Sequence, residues 1–516
     1  MKQLLTLSFI LLSQKILLAQ IPEDALRLSW TTPGGTARQQ AIGGAMGSLG
    51  GEISAVFVNP AGLGMYKKGE FVMSPGFQFQ KINSNYLGKS ASGNTVNNFG
   101  LGASGFVFSF PGANGNTNAL SIAVNRTANF NGNYLYEGQN NFSSFSEQYL
   151  EEYKNSGLPI DDINGAINNP ALSYGTRMAL YTYLIDTATV AGQHQVIAQP
   201  LKAGLLNQQN NTATKGGVTE IALSIAANNH DKWYIGGSIG IPIMNYSRNM
   251  TFTEMDATGN TNNDFAFSTY NETYNSKGVG LNVKVGAIFR PVSSWRVGLA
   301  IHTPTLYAIT DNISAKMVTN TENYNPLNPE ISITSAALDQ GSNTNPGAVK
   351  YDMVSPWKFI VSGSYVFEES EDISRQRGFV TADIEFVTNS SSHFNSQDNT
   401  TDNNYFSAVN STIKSYYKSN FDFRLGGELK FSSFAARAGA AYYMNPYKQS
   451  DLKADRLFIS GGVGYRNKGV FIDLTYVQGF TRDLNFPYRL AENANAFASL
   501  KESIGTIYMT IGFKFE

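Results

Sequence analysis

Residues 421–431 read FDFRLGGELKF. Successive side chains of an extended strand point to opposite sides, so Phe421, Phe423, Leu425, Leu429 and Phe431 share one face, and Asp422, Arg424, Glu428 and Lys430 share the other. Residues 279–289 repeat the scheme, with Val279, Leu281, Val283, Val285, Ala287 and Phe289 set against Asn282 and Lys284. A strand that is greasy on one side and charged on the other suits the wall of a membrane barrel with a wet interior, where about 9–11 tilted residues span the lipid.

Read this way, the chain carries strands near 71–81, 98–110, 119–130, 219–228, 232–252, 277–289, 295–309 and 351–367. A second group lies near 378–388, 420–431, 434–443, 457–466, 469–479 and 505–515. This makes about fourteen strands, an even number suited to a closed antiparallel barrel. The links between them alternate long and short. Short links fall at 111–118, 229–231, 290–294, 368–377, 432–433 and 467–468, and long ones at 131–218, 253–276, 310–350, 389–419 and 480–504. Short turns at one rim and long loops at the other are the habit of outer-membrane barrels, whereas a soluble sandwich has no reason to alternate them. The expected fold class is therefore all-β: a transmembrane antiparallel barrel of about 14 strands, occupying 71–516, with 131–218 its largest outer loop. Both chain ends then lie at the periplasmic rim, where an amino-terminal segment can enter the lumen as a plug.

Composition agrees. Charged residues make up 15% of the 516, against about 25% in ordinary globular proteins, and a lipid-facing surface removes the need for more. The formal net charge of −1, with no basic run interleaved with aromatics, argues against nucleic acid as a partner. Cysteine is absent, which excludes disulfide scaffolds and thiol chemistry. Residues 1–19, MKQLLTLSFILLSQKILLA, read as a signal peptide with Lys2 at its charged end and Ala19 at a plausible cleavage position, although Leu17 and Lys15 are unusual there. The alternative, a membrane anchor, needs a longer apolar core.

Between the signal and the first strand lies TARQQAIGGAMGSLGGEISAVFVNPAGLGMY, residues 36–66. It is too small to bury a core of its own and must borrow one. Asn59-Pro60-Ala61-Gly62-Leu63-Gly64, with Ala37-Arg38, Ala41 to Ala45 and Ser54-Ala55, resembles the start of the outer-membrane hydrophobic-compound transporters, the long-chain fatty-acid transporter (FadL and TodX) family. One departure is Glu52, which stands where that family has a shorter acid. The resemblance implies that 20–70 form a hatch inside a fourteen-stranded barrel. It further implies that Asn59, Pro60, Ala61 and Gly62 lie against a kinked third strand, and that the protein sits in the outer membrane of a Gram-negative bacterium. The implied function is passive uptake of fatty acids or aromatic hydrocarbons with lateral exit, by a monomer whose partners are its hydrophobic ligand and outer-membrane lipid.

Third-strand parity points Arg126 at lipid alongside Leu120, Ile122 and Val124. Either it snorkels near an interface or a bulge around Asn125 shifts the register. A break in the ladder between Ala123 and Ala128, touching Asn59 to Ala61, is expected. In the long outer loop, Phe145, Tyr149, Leu150 and Tyr153 recur at helical spacing, and Leu201, Leu205 and Leu206 form a second apolar cluster; these are candidate ligand contacts, or else a self-packed cap. Lys284, Arg296, Arg424 and Lys430 are candidate lumen cations, able to brace the wall or to hold an anionic head group.

No chemistry of another kind stands out. His194, His230, His302 and His393 have no metal-ligand spacing. No nucleophile elbow is present, and Gly43 to Gly47 lacks the Gly-Lys-Ser/Thr of a phosphate loop. Neither an enzyme nor a cofactor is implied. The competing function is a non-transporting surface barrel that acts as adhesin or scaffold through its loops.

Overall fold

The computed structural model describes residues 22–30, 34–112, 116–325, 327–338, 348–367, 377–397 and 403–515. The signal-peptide reading of 1–19 lies outside the described residues. The chain forms fourteen antiparallel strands closed into a barrel. They are β1 (Gly69–Met73 and Pro75–Tyr86), β2 (Val96–Leu101 and Ser104–Pro111), β3 (Thr117–Asn129 and Gly132–Asn140), β4 (Leu206–Asn229), β5 (Trp233–Asp256), β6 (Phe267–Val292) and β7 (Trp295–His302 and Leu306–Asn320). The rest are β8 (Ala348–Val354 and Lys358–Phe367), β9 (Gly378–Val387 and His393–Ser396), β10 (Asn420–Phe431), β11 (Phe434–Tyr443), β12 (Arg456–Asn467), β13 (Val470–Asn485) and β14 (Ala498–Phe515). Closure comes from β14 pairing with β1, from Gly69 opposite Phe515 to Tyr86 opposite Ala498.

Each strand is where alternation places it, but several run further outward than the sequence suggests. β4 begins at Leu206 and β14 at Ala498, while β3 continues to Asn140. Strand β5 shows why. Its outward residues Trp233, Ile235, Ile239, Ile241 and Ile243 are apolar and exposed, and above them Asn245, Asn249 and Thr251 are polar. The lower part faces lipid and the upper part water, so above Ile243 both faces are wetted and the apolar/polar contrast disappears.

Aromatic pairs mark the lower edge of the apolar band, with Trp233 stacked on Phe289 at 4.3 Å and Trp295 edge-on to Tyr365 at 5.1 Å. Trp357, Phe359, Phe386 and Phe421 follow one another along the upper edge. Aromatic girdles at both interfaces with an apolar band between them are the exterior of an outer-membrane barrel.

The lumen is filled below by the amino-terminal segment. Helix α2 (Ala37–Ala41) is capped by Thr36, whose hydroxyl accepts from Gln39 N at 3.2 Å. Ile42, Met46, Leu49, Ile53, Ala61 and Leu63 are almost completely buried. Above this segment helix α1 (Pro22–Ser29) crosses the lumen, with Leu26 and Leu28 in an apolar cluster that includes Tyr246, Tyr274 and Tyr351. Over the outer end, helices Glu147–Ser156 and Tyr174–Tyr181 and the hairpin Ile185–Val190/Gln193–Ala198 pack into a cap with its own apolar core.

An outward cation discriminates the two halves of β5. Ile239→Lys, within the apolar band, is expected to cost about 2–4 kcal/mol of unfolding free energy, and Thr251→Lys, above it, no more than about 1 kcal/mol. Urea titration of the barrel folded in phospholipid vesicles measures both.

Candidate functional site

The amino-terminal segment is held to the wall by specific polar contacts. Arg38 of α2 donates to both oxygens of Glu428 on β10, at 3.1 and 3.3 Å, and Arg437 on β11 joins Glu428 to Asp473 on β13 at 2.5 Å each. Asp383 on β9 accepts from Met46 N at 3.0 Å and from Gly47 N at 3.0 Å, so a wall carboxylate holds the loop after α2 by its amides. Such charge-assisted bonds are strong where little water competes. Glu52, for all its extra length, still caps the next turn, accepting from Ser54 N and Ser54 Oγ at 3.2 Å each.

Asn59 is completely buried. Its Nδ2 donates to Gly47 O at 2.6 Å and to Ala287 O and Leu299 O at 3.3 Å, while its Oδ1 accepts from Ala61 N at 3.1 Å. It therefore caps the turn Pro60–Met65 and ties that turn to β6 and β7. Gly286 makes the seat, because a Cβ there would fall 1.9 Å from Asn59 Oδ1. Gly62 closes the turn, its N–H donating to Asn59 O and its own carbonyl accepting from Gly51 N, both at 3.0 Å.

The third strand is interrupted. Its ladder with β2 runs from Pro111 opposite Thr117 to Ser104 opposite Val124 and goes no further, while β2 above Ala103 pairs only with β1. On the other side the register with β4 slips at Thr127, since Thr219 faces Arg126 and Val218 faces Ala128. A gap thus opens in the wall between Val96–Leu101 and 125–129, bridged by Asn98 Nδ2 to Asn129 Oδ1 at 3.5 Å. Arg126 keeps its outward parity; its Cδ borders this gap, 3.5 Å from where a Cβ on Gly100 would be, while its Nη2 donates to Gly216 O on β4. The bulge, rather than snorkelling to an interface, accommodates it.

The backbone lining the break from inside is Gly34 and Gly35, not Asn59 to Ala61. A Cβ on Gly34 would meet Arg126 O at 2.2 Å, and one on Gly102 would meet Gly35 O at 2.1 Å. Asn59 is drawn elsewhere because the wall carbonyls it satisfies belong to β6 and β7.

Three neighbouring spaces surround this segment. The outer one, about 620 Å³, lies beneath the cap and is lined by Phe145, Tyr149, Tyr174, Tyr270, Phe486 and Tyr488, with Leu26, Arg27 and Trp30 of the α1 region on its inner side. A second of about 150 Å³ lies between α1 and the amino-terminal segment and is lined by Leu28, Lys284, His302, Lys358, Glu385 and Arg424; Trp30 borders both. The third, about 50 Å³, occupies the gap and is lined by Gly76, Gly100, Leu101, Arg126 and Tyr508; it shares Gln78, Asn129, Phe458 and Ile504 with the outer space.

Among the loop residues singled out from the sequence, Phe145 and Tyr149 border the outer space. Leu150, Tyr153 and Leu206 are buried in the cap's core, Leu205 is half-buried and Leu201 is exposed. The lumen cations have protein partners: Lys284 bonds Glu220, Arg424 bonds Glu385, Lys430 lies 3.8 Å from Glu428, and Arg296 reaches Met65 Sδ at 3.5 Å. His302 sits 2.8 Å from Val58 O. The sequence pointed to none of the α1 latches. Arg27 stacks on Tyr246 at 3.8 Å, Arg456 lies over Trp30 at 4.2 Å, and Arg489 bonds Glu23. These join residues that lie far apart in the chain, and no local pattern reports them.

The cap is fixed to the barrel by Glu254, at the outer end of β5 and fully buried. It accepts from Phe145 N at 2.9 Å, Ser144 Oγ at 2.8 Å and Gln208 Nε2 at 2.6 Å. Burial pushes its carboxyl up to about 7, against the pull of these donors. The folded cap then holds a proton that the unfolded chain has released between the ordinary carboxylate range and about 7, so cap stability falls as pH rises through that window. Hydrogen exchange at the Phe145 amide, corrected for intrinsic rate, is expected to show protection at least about tenfold greater at pH 5.5 than at pH 8. Glu254→Gln should abolish the difference, and a wild-type protection independent of pH would contradict the assignment.

No family model and no curated protein matches the chain by sequence. Solved structures do match by shape. A Pseudomonas aeruginosa FadL homologue is 14% identical, covers 95% of this chain and 100% of its own, and has a TM-score of 0.54. The Pseudomonas putida toluene transporter TodX is 12% identical over 94% of this chain and 100% of its own, with a TM-score of 0.51. A TodX deltaS2 mutant, described as a monoaromatic hydrocarbon channel, is 13% identical over 93% and 99%, with a TM-score of 0.52. At such identities the likeness is one of fold: this chain has a fourteen-stranded antiparallel barrel similar to those of the FadL homologue and TodX.

Proposed function

We propose that the protein carries hydrophobic compounds passively across the outer membrane, as a single barrel with residues 20–70 as its hatch and 71–516 as its wall. The ligand class is that of long-chain fatty acids or aromatic hydrocarbons. The observation that carries the reading is the wall gap beside Arg126, whose lining shares Gln78, Asn129, Phe458 and Ile504 with the aromatic space under the cap. At about 620 Å³ that space is of the size that takes small-molecule ligands, commonly about 300–1,000 Å³.

A ligand gathered beneath the cap would pass between Gln78 and Asn129 and leave sideways into lipid once the Arg126 side chain swings away. Its downhill gradient supplies direction. Asn59 to Gly62 and the Asp383 latch would set whether the segment below stays in place while this happens. The paired lumen cations favour bracing over head-group capture, since each already has a protein partner.

Uptake of radiolabelled oleate and toluene, in a host deprived of its own transporters, separates the steps. Gly100→Trp places an indole in the gap and is expected to cut uptake at least about tenfold while leaving ligand binding to the purified barrel unchanged. Asp383→Asn weakens the hold on Met46 N and Gly47 N; it is expected to change uptake if the segment below must move, and to leave uptake as it is if that segment stays in place. Unaltered uptake by Gly100→Trp would refute lateral exit, and binding without any uptake would leave a surface barrel with no transport role.

A further inference from the structure

Three cations stand together on the outside of the barrel, just above the apolar band on β13, β14 and β1. Strand β13 presents Val470, Ile472, Leu474, Tyr476 and Phe480 outward, and the next outward residue is Arg482. Arg482 lies directly opposite Lys501 on β14, and Lys501 lies directly opposite Asn83 on β1. Lys81, one outward step below Asn83 and opposite Ser503, completes the group. All three are exposed. Like charges directly opposed on one face destabilise a strand pair, and diagonal neighbours are within about 7–8 Å. Asp455, 3.7 Å from Arg482, is the nearby carboxylate, and no ion pair or hydrogen bond engages the ammonium group of Lys81 or Lys501 among the described residues.

Directly below the cations the surface turns aromatic. Phe79 stacks on Tyr476 at 6.4 Å, and Phe77 and Phe480 are exposed. A ligand that answers both features carries an anionic head and acyl chains, with the head at the level of Arg482 and the chains along the aromatic wall. We propose that Lys81, Arg482 and Lys501 form a binding site for the phosphate-bearing head group of an outer-leaflet lipid. Three neighbouring cations suit a phosphate better than a carboxylate, because a phosphate offers more oxygens and more charge.

The test uses the intact barrel in neutral detergent, with lipid A carrying two, one or no phosphates as probes, read by native mass spectrometry. Wild type is expected to retain the doubly phosphorylated probe at least about tenfold more tightly than the phosphate-free one. Lys81→Gln/Arg482→Gln/Lys501→Gln should remove that preference. The triple variant loses a like-charge repulsion and is expected to fold, as checked by its heat-modified gel mobility. Lys277→Gln/Lys350→Gln, on outward positions of β6 and β8, controls for general surface charge. Equal retention by the triple variant, or loss of retention in the control pair alone, would overturn the site. Competition by millimolar inorganic phosphate would reassign it to a soluble anion and refute the lipid.

Discussion

In hydrocarbon an unpaired backbone N–H or C=O costs several kcal/mol, so a membrane wall built of strands must close on itself. That constraint sets almost everything else in this molecule. The pairing of β14 with β1 removes the sheet's edges. Once the wall is closed, alternation sends every second side chain into a lumen shielded from lipid, where carboxylates and guanidinium groups can meet. The Arg38, Arg437, Glu428 and Asp473 network exists there because the wall excludes lipid on one side and the amino-terminal segment excludes water on the other.

The same constraint makes the break in β3 meaningful. Where β2 leaves β3 above Val124, side chains and a close-packed glycine take the place of the ladder: Asn98 bonds Asn129, Arg126 donates to Gly216 O on β4, and Gly34 packs against Arg126 O. Side chains that span a gap can move on rotation about single bonds, whereas a ladder cannot open one rung at a time. A barrel with one polar, side-chain-filled opening beside an aromatic cavity has a route to lipid that leaves the rest of its pairing intact.

Much of this was legible in the chain. The alternation at 421–431 and 279–289, and the turn-taking of long and short links, placed fourteen strands. Composition placed the exterior in lipid. The outer parts of β3, β4 and β14 escaped notice because water wets both their faces and the contrast of side chains fades. The disruption near Asn125 was visible as a cation out of place. Its neighbours were not, since Gly34 carries no side chain to signal a contact and Asn59 is claimed by carbonyls at Ala287 and Leu299. The α1 latches also escaped, because each joins residues hundreds of positions apart.

The central claim is a closed wall with its hydrogen bonding interrupted between β2 and β3. Hydrogen exchange of the barrel in lipid nanodiscs, resolved by residue, tests it most directly. Amides from Asn118 to Val124, paired on both sides, should persist for hours, while those in 125–129 that face β2 exchange within minutes. Equal, slow exchange along the whole of β3 would mean the ladder is continuous and would contradict the account.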